Sequence, residues 1–178
     1  MKRRDFLTAA GAAIFAPRLS WATTSQELIA EPVTAQILPS DSPASAMWGY
    51  NGSTPGPELR LSQGEFLDVR FLNQINQGSA VHWHGLRSNN AMDGVPGLTQ
   101  DIVQSGDHFN YRFRAPDAGT FWYHSHNRSW EQVAKGLYGP LIVEENNPPD
   151  VDHDITVLVD DWRISETGIL AGGFDDMH

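Results

Sequence analysis

The chain has 178 residues, a formal net charge of −10, and 40% hydrophobic against 19% charged residues. That length and balance fit one globular domain plus a remainder and exclude a disordered chain. Lys and Arg total 12 against 22 Asp and Glu, with no basic stripe, which excludes nucleic acid as a partner because phosphate neutralisation needs clustered cations. Cys is absent, so disulfides, thiolate nucleophiles and cysteine-bound metals are excluded and the seven His residues become the chemistry of interest.

Residues 1–22 have the features of an export signal. Lys2, Arg3 and Arg4 form a positive start, and a short, weakly apolar run rich in Ala and Gly follows. The run is too short to span a bilayer, which needs about 20 apolar residues. Ser20-Trp21-Ala22 puts small residues at the −3 and −1 positions of a cleavage site, with Thr23 as the expected mature start. Arg3-Arg4-Asp5-Phe6-Leu7 resembles a twin-arginine signal, which implies a bacterial periplasmic protein exported after folding. No later apolar stretch reaches membrane length, so the mature chain is expected to have no membrane partner.

The body alternates with a period of two. Leu67, Val69 and Phe71 share one face of a strand over 65–72, and Asp68 and Arg70 share the other. Phe109, Tyr111 and Phe113 repeat the pattern. Further strands are predicted over 33–38, 46–50, 59–61, 80–84, 120–124, 137–144 and 155–159. Turn chemistry separates them at 51–57, 105–107 and 116–119, where Gly, Pro, Asn and Asp collect. Many short strands at near-regular spacing predict an all-β sandwich or barrel. A short helix is predicted over 129–135, with Ser129 as N-cap and Gln132 at the capping-box position. Asn146-Asn147-Pro148-Pro149-Asp150 reads as a domain boundary. The predicted units are therefore a signal at 1–22, a first domain at 23–147, and a linker with the cut start of a second domain at 148–178.

Two His-x-His pairs carry the chemistry. In His82-Trp83-His84-Gly85 and His124-Ser125-His126, an extended backbone points both imidazoles of a pair to one side and Trp83 to the other. Alternate residues lie about 6.6 Å apart, close enough to share one metal or to hold two. Neutral imidazole suits copper, zinc, iron and nickel. His108, His153 and His178 stand singly and are given no role.

These pairs sit within longer matching segments. His82-Trp83-His84-Gly85 and Thr120-Phe121-Trp122-Tyr123-His124-Ser125-His126 resemble the first two copper motifs of the multicopper oxidase (laccase-like) family. Residues 51–57 resemble its N-G-x-x-P-G-P segment, residues 93–100 its D-G-x-x-x-x-T-Q segment, and residues 137–143 the strand closing its first domain. The resemblance covers roughly 46–145 and implies a cupredoxin-like Greek-key β-sandwich. It implies His82 on a type 2 copper, His84 and His124 on one type 3 copper, and His126 on the other. Asp93 resembles a proton-relaying acid, with a turn-stabilising Asp before Gly94 as the equal alternative. Trp83 and Trp122 are expected to serve by core packing and stacking and so to wall the site, and Gly85 to stand where backbone crowds it.

The activity implied is a copper-dependent oxidase coupling one-electron oxidation of a small reducing substrate or metal ion to four-electron reduction of dioxygen to water. One departure is large: the family's type 1 copper needs a Cys, and this chain has none. Its two later His motifs are absent too, so only half of the trinuclear cluster ligands are present. The chain is thus expected to be the N-terminal part of an oxidase, inactive alone, whose missing cupredoxin domains complete the site. The alternative is a stand-alone exported copper-binding module without oxidase activity.

Overall fold

The computed structural model describes residues 23–170 and Gly172, with side chains from Gln26 onward. Residues 1–22, where the export signal is expected, and His178 lie outside the described residues. Eight strands, in order β1 (Thr23–Ala35), β2 (Ser45–Tyr50), β3 (Leu59–Ser62), β4 (Phe66–Asn73), β5 (Val81–His84), β6 (His108–Arg114), β7 (Gly119–Ser125) and β8 (Tyr138–Glu144), are joined by one 3-10 turn, Asn90–Met92, and one short helix, α1 (Ser129–Gln132). They form two four-stranded sheets, ordered β2-β1-β4-β6 and β3-β8-β7-β5.

Both sheets turn one face to a shared core. Leu67, Val69 and Phe71 of β4 and Tyr111 and Phe113 of β6 meet Leu59, Val81, Trp83, Tyr123, Leu141 and Val143 of the second sheet there. Asp68 and Arg70 point outward from β4, and Arg112 pairs with Asp68 across to β6. The alternation in sequence thus becomes a two-layer, all-β sandwich.

Three predicted elements differ from what forms. The strand expected over 33–38 begins ten residues earlier and ends at Ala35. Thr23 to Ala30 pairs in parallel with β4, and Ala30 to Ala35 then turns antiparallel along β2. Asn51 anchors that switch: its amide donates to the Glu27 carbonyl at 2.8 Å and its Oδ1 accepts from the Ile29 N–H at 2.7 Å. Pro32 is tolerated because the β4 pairing has ended by then.

The apolar run 155–159 forms no strand. It is held by side chains instead, with Asp154 paired to Arg60 at 3.0 Å and Thr156 donating to Glu58 at 2.6 Å. Ile155, Val157 and Val159 are 76%, 76% and 93% exposed, and among the described residues no ladder pairs this run with a strand.

The helix is also shorter than predicted. It covers Ser129–Gln132, and Arg128, at φ 45°, occupies the N-cap without a side-chain cap. Ser129 Oγ donates back to the Ser125 carbonyl at 3.2 Å, so it ties the helix to β7 rather than capping it.

Candidate metal centre

The register of β5 against β7 places His82 opposite His124 and His84 opposite Trp122. Side chains directly opposite on one face approach closely. The His82 and His124 ring centroids are 5.4 Å apart, His82 and His84 5.7 Å, and His82 and His126 5.1 Å. All four predicted histidines therefore meet on the outer face of the second sheet, at its β5–β7 end. Trp122 stacks on His124 with centroids 4.1 Å apart and leans on His84 at 4.9 Å.

Trp83 packs in the core as expected but does not wall the site. It is fully buried on the opposite face, packed against Tyr111 and Phe113 at 5.3 Å each. Its part is to seat β5 on the core; Trp122 alone of the two touches the imidazoles. Gly85 likewise answers a different need. Its φ is +86°, and a Cβ there would meet the Phe121 ring at 3.2 Å rather than any backbone of the cluster.

Hydrogen bonds select the free nitrogens. His82 Nδ1 lies 2.7 Å from the Asp93 carbonyl, and His124 Nδ1 2.9 Å from the Ser125 carbonyl. A carbonyl only accepts, so both Nδ1 atoms carry protons and both Nε2 atoms keep a lone pair. His84 Nδ1 lies 3.3 Å from His124 Nε2. Imidazole nitrogens bind transition metals at about 2.0–2.1 Å, so one ion fits between two nitrogens at that separation. Donor atoms of His82, His84 and His124 all lie within 4.8 Å of one another. The donor set is all imidazole, which suits copper or zinc. A carbonyl on the far nitrogen is the partner that metal-binding imidazoles ordinarily have.

The second pair is pinned from behind. β7 ends at Ser125, so His126 lies just beyond the strand, its N–H donating to the Ala80 carbonyl at 3.0 Å. Fully buried Gln132 accepts from Ser79 Oγ at 2.9 Å and from Ser125 Oγ, and donates to the Gly78 carbonyl at 2.9 Å and Gln77 Oε1 at 3.2 Å. Asn127 Nδ2 also donates to the Gly78 carbonyl, at 2.7 Å. One turn of helix thereby locks the His124-Ser125-His126 segment to the start of β5. Beside it, buried Glu131 pairs with Lys135 at 2.6 Å and Arg128 at 2.8 Å. Burial would raise its carboxyl, but hydrogen bonds from Lys135 and Gln77 outweigh that and hold it below the usual range. Sequence reasoning missed this network, since Gln132 carries no motif beyond its place after Ser129.

Asp93 stands beside His82, but its backbone makes the closer contact. The carboxylate Oδ1 is 3.5 Å from His82 Nδ1, and the side chain is 32% exposed. Among the remaining described histidines, His108 and His153 are exposed and lie outside the cluster.

His124 is held neutral. Burial pushes its imidazole down to about 4, against the Ser125 carbonyl bond that favours the proton and with His82, His84 and His126 adding repulsion. An unfolded imidazole titrates near 6.5, so between these values the unfolded state binds more protons. The metal-free fold is therefore expected to lose stability as pH falls through that window. Thermal melts from pH 7 to about 4.5 check this, and His124→Ala should flatten the slope over that range.

The fold is cupredoxin-like, with a histidine cluster at one end of its second sheet. The sequence matches the family model for multicopper oxidases over residues 33–148, and the chain belongs to that family. It is 37% identical over 147 residues to Laccase-2 of Cryptococcus neoformans var. grubii, an alignment covering 78% of this chain and 24% of that protein. Against Copper resistance protein A of Pseudomonas syringae pv. tomato, identity is 40% over 114 residues, covering 63% of this chain and 18% of that protein. Solved structures agree. Lac15 from a marine microbial metagenome superposes with a TM-score of 0.80 at 71% identity, covering 83% of this chain and 40% of that one. A multicopper oxidase from Pseudomonas thermotolerans gives 0.81 at 42% identity, covering 86% and 37%. The chain thus spans about a fifth to a quarter of the curated relatives it matches. Among the described residues no helix is long and apolar enough to cross a membrane.

Proposed function

We propose that this chain is the first cupredoxin domain of a periplasmic copper oxidase that couples one-electron oxidation of a small reducing substrate or metal ion to reduction of dioxygen to water. The 3.3 Å separation of His84 Nδ1 and His124 Nε2 carries the reading, since two imidazoles converging without a carboxylate partner are arranged for a metal. In this reading His84 and His124 share one type 3 copper, His126 serves the other, and His82 serves the type 2 copper through Nε2. Copper bound there supplies the electron-transfer and oxygen chemistry.

The chain's own residues hold the donors. The carbonyls of Asp93 and Ser125 fix two imidazole tautomers, and Trp122 covers one side of the His84–His124 pair. In this reading the Asp93 side chain, partly exposed and with Oδ1 3.5 Å from His82 Nδ1, passes protons toward the site. A type 1 site needs a thiolate, which this chain lacks, so electrons must enter through a further domain. The outward apolar side chains of Ile155, Val157 and Val159 support residues 148–178 as the linker and opening of that domain, after a first domain at 23–147. Residues 1–22 act as a twin-arginine signal.

The test is to read the coding frame beyond His178 and assay the whole product. A frame continuing into His-x-x-His-x-His and His-Cys-His, with oxygen uptake on adding a phenol or cuprous ion, is the expected result. A stop codon at that point, or a full product that takes up no oxygen when copper-loaded, would sink the oxidase reading.

A further inference from the structure

Two glycines of the loop after β5 share one backbone conformation and differ in their surroundings. Gly94 and Gly97 both have φ +76°. A Cβ on Gly97 would meet nothing within 4 Å. A Cβ on Gly94 would overlap the Val81 carbonyl oxygen and come within 3.0 Å of the His82 backbone nitrogen. Those are backbone atoms of β5, fixed by its pairing with β7, so they cannot give way.

The loop can therefore lie directly on β5 only because residue 94 has no side chain. That close approach is what brings the Asp93 carbonyl to 2.7 Å from His82 Nδ1. The Asp93 carboxylate, 3.5 Å from the same nitrogen and partly exposed, is the weaker partner. His84 shows the alternative: its Nδ1 points into the cluster, toward His124 Nε2. Which ring nitrogen faces inward is thus decided separately for each histidine, by what holds the other nitrogen.

We propose that Gly94 is a positioning residue that selects the donor nitrogen of His82: by letting the Asp93 carbonyl reach Nδ1, it leaves Nε2 as the ring's only metal donor. The Asp93 side chain does not make this selection. The consequence for metal rests on the copper reading above; the tautomer itself belongs to the metal-free chain.

The experiment assigns the His82 tautomer by two-bond 1H–15N correlation in metal-free chain at about pH 8, where free imidazole is neutral. Wild type, Asp93→Ala and Gly97→Ala are expected to hold His82 as Nδ1–H, with a cross-peak from that proton to Gly94 Hα in wild type. Gly94→Ala is expected to shift at least half of the population to Nε2–H. With Zn2+ alone as probe, Gly94→Ala should weaken binding about ten- to hundredfold, the range for losing an outer partner of a metal-bound histidine, and Gly97→Ala should stay within about twofold.

The proposal is overturned if wild-type His82 is Nε2–H, if Asp93→Ala changes the tautomer, or if Gly97→Ala acts like Gly94→Ala. Backbone amide spectra show whether each variant folds. Should Gly94→Ala not fold, the wild-type and Asp93→Ala tautomers still decide the matter. A chain with the expected tautomers that binds no Zn2+ or Cu2+ would sink the metal reading and leave the role of Gly94 standing.

Discussion

Gln132→Leu is expected to destabilise the domain by about 3 kcal/mol. The change keeps the volume nearly constant, so its effect isolates hydrogen bonding from packing. Gln132 is fully buried and serves four partners: Ser79 Oγ, Ser125 Oγ, the Gly78 carbonyl and Gln77 Oε1. Leucine would leave Ser79 Oγ with only Ser125 Oγ, 3.3 Å away, Ser125 Oγ with that contact and the long ones to the Asn127 backbone, and Gln77 Oε1 without its donor. The Gly78 carbonyl keeps Asn127, which limits the loss. A buried polar group left unsatisfied costs about 1–3 kcal/mol, and two such groups set the estimate. For a domain of this size that corresponds to a melting point lower by about 6–12 °C. Denaturant unfolding of the metal-free chain measures it. A change below about 1 kcal/mol would mean that the network contributes nothing beyond filling space.

His124→Ala is expected to reduce copper affinity more than any other single change in the cluster. His124 faces His82 across the sheet, approaches His84 at 3.3 Å and is stacked by Trp122. It is also neutral at physiological pH, so it offers a lone pair without first releasing a proton. Loss of an outer partner of a metal ligand typically weakens binding about ten- to hundredfold, and loss of the ligand itself should exceed that. Titration with Cu2+, followed by tryptophan fluorescence, reports binding through Trp122. His108→Ala, an exposed histidine on β6, is the matched control and should leave the titration unchanged. Equal affinity in the two variants would remove His124 from the site.

Legibility in the sequence was greatest where burial alternates, and the nearly all-buried β8 was read instead from its apolar run. Strands β4 and β6 have one wet and one dry face, and their residues record it. The first half of β1 was missed because its parallel pairing with β4 is a long-range contact that Gln26 and Glu27 do not announce. The run 155–159 was read as a strand because its composition is right; a strand also needs a partner, and composition cannot supply one. The four histidines were legible because an extended backbone brings i and i+2 to one side whatever the tertiary setting. What held them was not. Gln132, Gly94 and the Asp93 and Ser125 carbonyls act through backbone geometry and distant partners. The Asp-Gly step at 93–94 was visible as a turn, and its contact with β5 was not.

The exposed segment at 151–159 has a bearing on how this chain behaves in concentrated solution. Exposed Ile155, Val157 and Val159 on a backbone in no sheet are the kind of stretch onto which a second molecule can add a strand. Asp152 and Asp154 precede the run, and Asp160 and Asp161 follow it. Two copies aligned along this edge would bring those carboxylates together at both ends, and the repulsion opposes stacking. The acidic flanks thus act as gatekeepers. They protect a sticky stretch by charge wherever no neighbouring sheet covers it, and that protection weakens as salt screens it or acid neutralises it.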